Sequence, residues 1–313
     1  MPIQWFPGHM HATRKAIAER LPEIDVVIEL LDARLPGSSG NPLLADMTRG
    51  KPALKILNKQ DLADADATAQ WLAHFGALPG TRAIGLDASV PAPARRLVEA
   101  SRELVPQRGG MVKPIRVLVC GVPNVGKSTL INTITGQRVA KTGDEAGITK
   151  VEQRITLASD VYLFDTPGML WPRIGVEKAG YHLAASGAVG RNAYDEEEVA
   201  LELLASVRGR YDDRLRARYK LDDIAPLADG ELLEAIGRKR GALMAGGRIN
   251  RTKAAEVALN DFRAGAWGRV TLESPAQFLA WEAEAAAAEA EREAEREVER
   301  EQRVRARKSR DPR

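Results

Sequence analysis

The sequence predicts an α/β fold with a mainly parallel sheet, followed by a smaller all-helical region. Three observations predict it. Short, mostly apolar segments at 25–32, 53–57, 82–87, 115–120 and 161–165 are bounded by turn residues and separated by helical patterns, the alternation that builds a parallel sheet covered on both faces. A glycine-rich turn follows the fourth segment and opens a helix. Beyond about residue 176 the strand signal fades, and helical periodicity runs to about 272.

With 313 residues, 44% of them hydrophobic and 28% charged, the chain is long enough to bury a sizeable core. It divides by composition into 1–175, the helical region 176–272, and a charged tail over 273–313, helical or disordered. The stretch 88–114 is rich in proline and glycine and reads as a connector with one short helix at 94–105. No segment approaches the ~20 apolar residues of a membrane span, and the start lacks the apolar core of a secretory signal, so a cytoplasmic protein is expected. The single cysteine, Cys120, excludes an intrachain disulfide and a multi-cysteine zinc site. Its apolar neighbours make it a buried thiol. A net charge of +3 is mild, so the position of the basic residues matters more than their sum.

Gly121-Val122-Pro123-Asn124-Val125-Gly126-Lys127-Ser128 has the spacing of a phosphate-binding loop, between an apolar strand and a helix that begins Ser128-Thr129-Leu130. The glycines let the backbone wrap phosphates and turn N–H groups inward, and the helix N-terminus adds its dipole. Lys127 reaches the outer phosphates, and the Ser128 hydroxyl suits a magnesium ion. Asp165-Thr166-Pro167-Gly168 ends the last apolar strand. There Asp165 suits the magnesium shell and the Gly168 N–H a terminal phosphate. Asn58-Lys59-Gln60-Asp61 follows the second strand. Asp61 accepts two hydrogen bonds from the guanine edge, which adenine does not offer; Asn58 holds the other edge, and the Lys59 stem covers the ring. Ser89, in Asp87-Ala88-Ser89, ends the next strand, where a backbone N–H meets the guanine carbonyl. Thr149, in Gly147-Ile148-Thr149, reads either as a mobile magnesium ligand or as an ordinary loop threonine.

The base motif therefore precedes the phosphate loop, whereas ordinary GTPases begin with the phosphate loop. Rejoining nearby chain ends and cutting elsewhere preserves a sheet and its loops. The expected fold is thus a P-loop GTPase domain with circularly permuted motif order, taking GTP and GDP.

In the helical region, 238–253 holds Arg238, Lys239, Arg240, Arg248, Arg251 and Lys253 with no acidic residue, which suits contact with RNA phosphates. Few aromatics lie nearby, so grip on folded RNA is expected over base stacking along a single strand. In the tail, Glu289 with Arg292, Glu293 with Arg296 and Glu297 with Arg300 sit at helical spacing.

The opening Gln4-Trp5-Phe6-Pro7-Gly8-His9-Met10, Asp32-Ala33-Arg34 with Asn41-Pro42, the phosphate loop with Leu130-Ile131-Asn132, and Asp165-Thr166-Pro167-Gly168-Met169-Leu170-Trp171-Pro172 resemble the YlqF/RbgA family of circularly permuted GTPases over about residues 1–272. The resemblance implies a GTPase that assists late assembly of the large ribosomal subunit, with the helical domain on ribosomal RNA. Met169 and Leu170 stand where many GTPases carry a water-orienting glutamine. Here the resemblance points to His9 as the catalytic substitute and to a potassium ion held by Asn124. Two departures are visible: Ala146 stands where the family usually has proline, and the tail after Pro275 is longer. Two other function classes fit parts of the pattern. Asp61 argues against a P-loop ATPase or kinase, and the basic cluster argues against a GTPase that regulates protein partners without RNA.

Overall fold

The computed structural model describes residues 3–110, 112–138, 140 and 153–310. Its centre is a six-stranded sheet, ordered β3-β2-β1-β4-β6-β5. The strands are β1 (Val26–Asp32), β2 (Ala53–Asn58), β3 (Thr81–Gly85), β4 (Ile115–Gly121), β5 (Gln153–Ala158) and β6 (Val161–Asp165). All neighbouring pairs are parallel except β5 with β6. Five strands lie where the apolar runs predict them. The sixth, β5, has no counterpart in the sequence reading, because Gln153-Arg154-Ile155-Thr156-Leu157-Ala158 alternates polar with apolar residues, as suits an edge strand paired on one side.

Helices α1 (Gly8–Arg20), α2 (Pro42–Met47), α3 (Ala65–Gly76), α4 (Pro91–Leu104) and α5 (Lys127–Thr135) accompany the sheet. α4 begins earlier than the predicted 94. Pro91 and Pro93 fall in its first turn, where proline removes no helical hydrogen bond. After the sheet come α6 (Glu177–Ser186), α7 (Glu196–Val207), α8 (Asp212–Tyr219), α9 (Asp229–Lys239), α10 (Arg251–Arg263) and α11 (Pro275–Arg310). One apolar cluster runs from Ile3 through the sheet to Leu272, so the helical region and the sheet share a core.

All seven residues of β1 are buried, as a central strand covered on both faces requires. Its two carboxylates are therefore paired. Glu29 faces Lys55 across the β1–β2 register, and it accepts a hydrogen bond from the Asn41 N–H at 3.0 Å. Asp32 accepts two bonds from the Arg34 guanidinium, at 2.9 and 2.8 Å, and one from Lys59 Nζ at 2.8 Å. The two neighbouring cations outweigh the effect of burial and hold the Asp32 carboxyl far below the usual carboxylate range. Arg34 also donates to the Phe262 carbonyl at 3.0 Å, and its guanidinium lies 4.6 Å from the centre of the Phe262 ring.

A short strap returns from the helices across the loops after β1 and β2. The Val270 N–H donates to Leu62 O at 3.0 Å, Leu272 N–H to Arg34 O at 2.7 Å, and Asp64 N–H to Thr271 Oγ1 at 3.1 Å. The strap ends in Glu273, which is fully buried and bound to Ser38 and to His182 Nδ1 at 2.8 Å. The tail is helical, and its first turns are seated on the body of the protein. The Phe278 ring occupies the space a side chain at Gly37 would need, and Trp281 meets His182 edge-on. Arg173 binds Glu289 at 2.6 Å, two turns further along.

Removing Arg34 strands the Asp32 carboxylate in the core with Lys59 alone. Arg34→Ala is expected to lower unfolding stability by about 3–5 kcal/mol, measured by urea titration. An unchanged midpoint contradicts the role given to this pair.

Candidate nucleotide site

The phosphate-binding loop leaves β4 at Gly121, whose φ is +149°. A Cβ there would come 2.5 Å from the Leu30 carbonyl of β1, so the close packing of β4 on β1 needs glycine. Asn124 (φ 57°) and Gly126 (φ 103°) then turn the loop through left-handed conformations into α5. Val125 and Lys127 are buried, Ser128 is half-buried, and Thr129 is exposed. Lys127 Nζ donates to the carbonyls of Gly121 at 3.1 Å and Val122 at 3.0 Å. Burial pushes its pKa down to about 8, against the pull of Asp165.

Asp165 ends β6, in register with Val119 of β4. Burial pushes its carboxyl up to about 6, with Lys127 acting in the opposite direction. Its Oδ1 is the one buried side-chain polar atom without a hydrogen-bond partner among the described residues. An orphaned buried carboxylate oxygen suits a hard cation, and the Ser128 hydroxyl in the first turn of α5 suits the same ion. Thr149, the third expected magnesium ligand, lies outside the described residues. Gly168 presses on the loop so closely that a Cβ would lie 2.8 Å from Pro123 Cα and 3.2 Å from Lys127 Nζ. Met169 and Leu170 are buried, so neither side chain can orient a water.

Asn58 closes the distance between the two motifs. Its amide donates to Val125 O at 2.7 Å and accepts from the Ala88 N–H at 2.8 Å, which ties the phosphate loop to the loop after β3. Lys59 follows in a left-handed conformation (φ 61°) with its ammonium held by Asp32, and Asp61 is exposed beyond it. Burial lowers the Lys59 pKa, and Asp32 opposes that shift. Ser89 lies beside them, but both its N–H and its hydroxyl point to Asp87 Oδ1, at 2.8 and 2.7 Å. Its N–H is thus engaged within the loop.

The N-terminal segment is docked along the residues after Gly168. Gln4 makes a reciprocal pair of hydrogen bonds with the Ile174 backbone, at 3.3 and 3.0 Å, and Met10 Sδ receives the Leu170 N–H at 3.4 Å. His9 is exposed in the first turn of α1, its ring edge-on to Trp5 at 6.4 Å. Asn124 reaches the other way, donating to the Gly187 carbonyl at the end of α6 at 2.8 Å. Arg263 caps the same helix end through Ala185 O at 2.8 Å and Ala184 O at 3.0 Å.

The six expected RNA-facing cations divide into two sets. Arg251 binds Glu197 and Glu234, both at 2.7 Å, and Arg240 lies 3.4 Å from Asp261. Arg238, Lys239, Arg248 and Lys253 are exposed, with no ion pair among the described residues. Sequence reasoning on the residues alone did not find the anchoring roles of Asp32 and Arg34, of Gln4, or of the strap. Asp32-Ala33-Arg34 directly after an apolar strand was the available signal for the first, since a charged pair at the end of a central strand must be satisfied there.

The chain is similar over most of its length to known GTPases. The family model of the 50S ribosome-binding GTPase matches residues 116–218. Ribosome biogenesis GTPase A of Bacillus cereus is 42% identical, over 89% of this chain and 96% of that protein. Mitochondrial ribosome-associated GTPase 1 of Xenopus tropicalis is 34% identical, over 86% of this chain and 94% of its own length. The GDP-bound structure of YlqF from T. maritima superimposes with a TM-score of 0.58 at 25% identity, covering 83% of this chain and 99% of that one.

Two outcomes follow from the site. Asp61→Asn is expected to weaken the preference for guanine over adenine nucleotides by about two orders of magnitude or more, read by competition of GTP and ATP against a labelled guanine nucleotide; unchanged discrimination removes Asp61 from base selection. Asp165 has a folded pKa above its ordinary 3.8, so its charge opposes folding: the effect is absent below about 4, grows as pH rises to about 6, and stays constant above. Asp165→Asn is therefore expected to stabilise the nucleotide-free protein by up to about 3 kcal/mol at pH 7.5 and by nothing near pH 4. Equal effects at both pH values contradict this.

Proposed function

The chain belongs to the family of ribosome biogenesis GTPase A, and we propose that it is a GTP-hydrolysing switch assisting late assembly of the large (50S) ribosomal subunit through binding to ribosomal RNA. The Asn58 bridge carries this reading. One side chain joins the phosphate loop to both base-side loops, although these motifs occur in permuted order along the chain. A guanine nucleotide spans that bridge.

The loop from Gly121 to Thr129 wraps the phosphates, and Lys127 turns from its own carbonyls to the ligand's outer oxygens. Asp165 and Ser128, with Thr149 as the expected third ligand, would hold magnesium, which would neutralise charge on the phosphates. Asn124, whose amide nitrogen donates to the Gly187 carbonyl, would hold potassium beside the phosphates. Asp61 selects guanine, the Lys59 stem covers the ring, and Ser89 closes the pocket. Hydrolysis needs a group that orients water. His9 is that group: the segment carrying it is bonded at Met10 and Gln4 to the residues that follow Gly168. The nucleotide domain spans 1–175, the RNA-binding helices span 176–272, and 273–313 is a charged tail. RNA phosphates meet Arg238, Lys239, Arg248 and Lys253, while Arg240 and Arg251 shape that face through their ion pairs. Among the described residues no helix is long and apolar enough to cross a membrane, and the protein acts in the cytoplasm.

GTP turnover measured with and without large ribosomal subunits tests the proposal, with stimulation expected and equal rates contradicting it. His9→Ala is expected to leave GTP affinity nearly intact and lower the stimulated rate by about one to three orders of magnitude. Full stimulated turnover in that variant makes His9 structural.

A further inference from the structure

The connection between α9 and α10 is a small, rigid hairpin with an apolar tip. Leu243 and Met244 are 51% and 49% exposed. They adjoin in sequence, whereas Leu78, Val90 and Leu279, which are also exposed, have no such neighbour among the described residues. Leu243 bridges Ile249, the Met244 N–H donates to Arg248 O at 2.8 Å, and the Gly247 N–H returns to Met244 O at 3.1 Å. Gly246 and Gly247 have φ of 79° and 75°, a conformation that side chains at both positions would strain. The stem is fastened below. Ala242 N–H donates to Gly237 O and Asn250 N–H to Ala242 O, each at 2.8 Å, and a Cβ on Gly237 would lie 2.9 Å from both Ile249 Cγ2 and Ala254 Cβ. Asn250 then caps α10 through the Lys253 N–H at 3.0 Å. A loop held this firmly loses little freedom on binding, yet its tip leaves two large apolar side chains in water.

We propose that this hairpin is a wedge for structured RNA, in which Leu243 and Met244 enter an unstacked step of a helix while Arg238, Lys239 and Arg248 grip the phosphates on either side. The proposal rests on the RNA reading of the same region and names the feature that the RNA must offer. Charge identifies the partner. Residues 238–253 hold six cations and no carboxylate, and the exposed cations flank both legs of the hairpin. Apolar side chains inserted between bases must repay the unstacking, which costs most at a paired step and least where a base is already displaced. The wedge therefore favours a bulge over an uninterrupted duplex. An anionic membrane surface also attracts cations, but two side chains bury too little apolar area to hold a protein there.

Anisotropy of two labelled RNA hairpins, identical except for one bulged nucleotide, measured with the full-length chain, tests this. The native chain is expected to prefer the bulged hairpin by about tenfold, roughly the discrimination of one specific nucleic-acid contact. Leu243→Ser with Met244→Ser should abolish that preference without changing the slope of log affinity against log salt, since no phosphate contact is lost. Leu243→Ile with Met244→Leu should retain it. Arg238→Ala with Lys239→Ala and Arg248→Ala should weaken both hairpins alike and flatten the slope by about 2–3. A bulge preference that survives the double serine variant overturns the wedge and leaves RNA binding standing. A native chain that binds neither hairpin overturns both readings. Binding to phosphatidylserine vesicles that matches RNA binding in strength, and is lost in the serine variant, assigns the tip to membranes instead.

Discussion

Asp32 is a carboxylate taken almost wholly out of water, 2% exposed, with two cations at hydrogen-bonding distance. Desolvating one such charge costs several kcal/mol, so its partners are fixed in place. Because β1 and β2 pair Asp32 with Asn58, the carboxylate sits beside the base motif and holds the Lys59 ammonium. Arg34, its other partner, reaches the Phe262 and Arg263 carbonyls at the end of α10. Arg263 in turn caps α6, and Gly187 at that cap receives Asn124 of the phosphate loop. A chain of hydrogen bonds thus leaves the base side of the site, passes through the helical region, and returns at the phosphate side. Asn58 makes the short connection between the same two ends.

The motif order gives this circuit its shape. With the base motif first, the segment after Asp165 is free to run directly into α6 instead of returning to the sheet. Residues 168–174 are gripped from two directions: the N-terminal segment bonds Leu170 and Ile174, while the Asn41 amide donates to the Met169 carbonyl at 2.8 Å. The strap at 270–273 then lies across the loops after β1 and β2. The N-terminal segment and the strap therefore bond to residues that border the nucleotide loops from opposite ends of the sequence.

Much of this was legible in the sequence where local chemistry dictates it. Gly121 and Gly126 declare themselves because the turn from β4 into α5 takes positive φ at both positions, and β1, β2, β3, β4 and β6 declare themselves by mostly apolar runs bounded by turn residues. What escaped was set by long-range contact. β5 is an edge strand whose alternation is faint in six residues. The start of α4 was hidden by prolines that a first turn tolerates. Composition reads the tail as a charged extension, helical or disordered, yet Glu273 and Phe278 anchor it, and nothing local to 273–281 names Ser38, His182 or Gly37 as their partners. The basic cluster was visible as six charges, but only the fold separates Arg251 and its two glutamates from the exposed set.

The nucleotide loops and the helical region form one hydrogen-bonded unit. Amide hydrogen exchange with and without bound GDP tests it most directly, read at the Leu272 N–H on Arg34 O and the Ala188 N–H that closes α6. At a nucleotide concentration of about 100 Kd the bound state gains about 2.7 kcal/mol, so groups that open only together with the site should exchange about 100-fold more slowly. That slowing is expected at 183–189 and 262–273 as well as in the phosphate loop. Protection confined to the phosphate and base loops, with Leu272 and Ala188 unchanged, contradicts it.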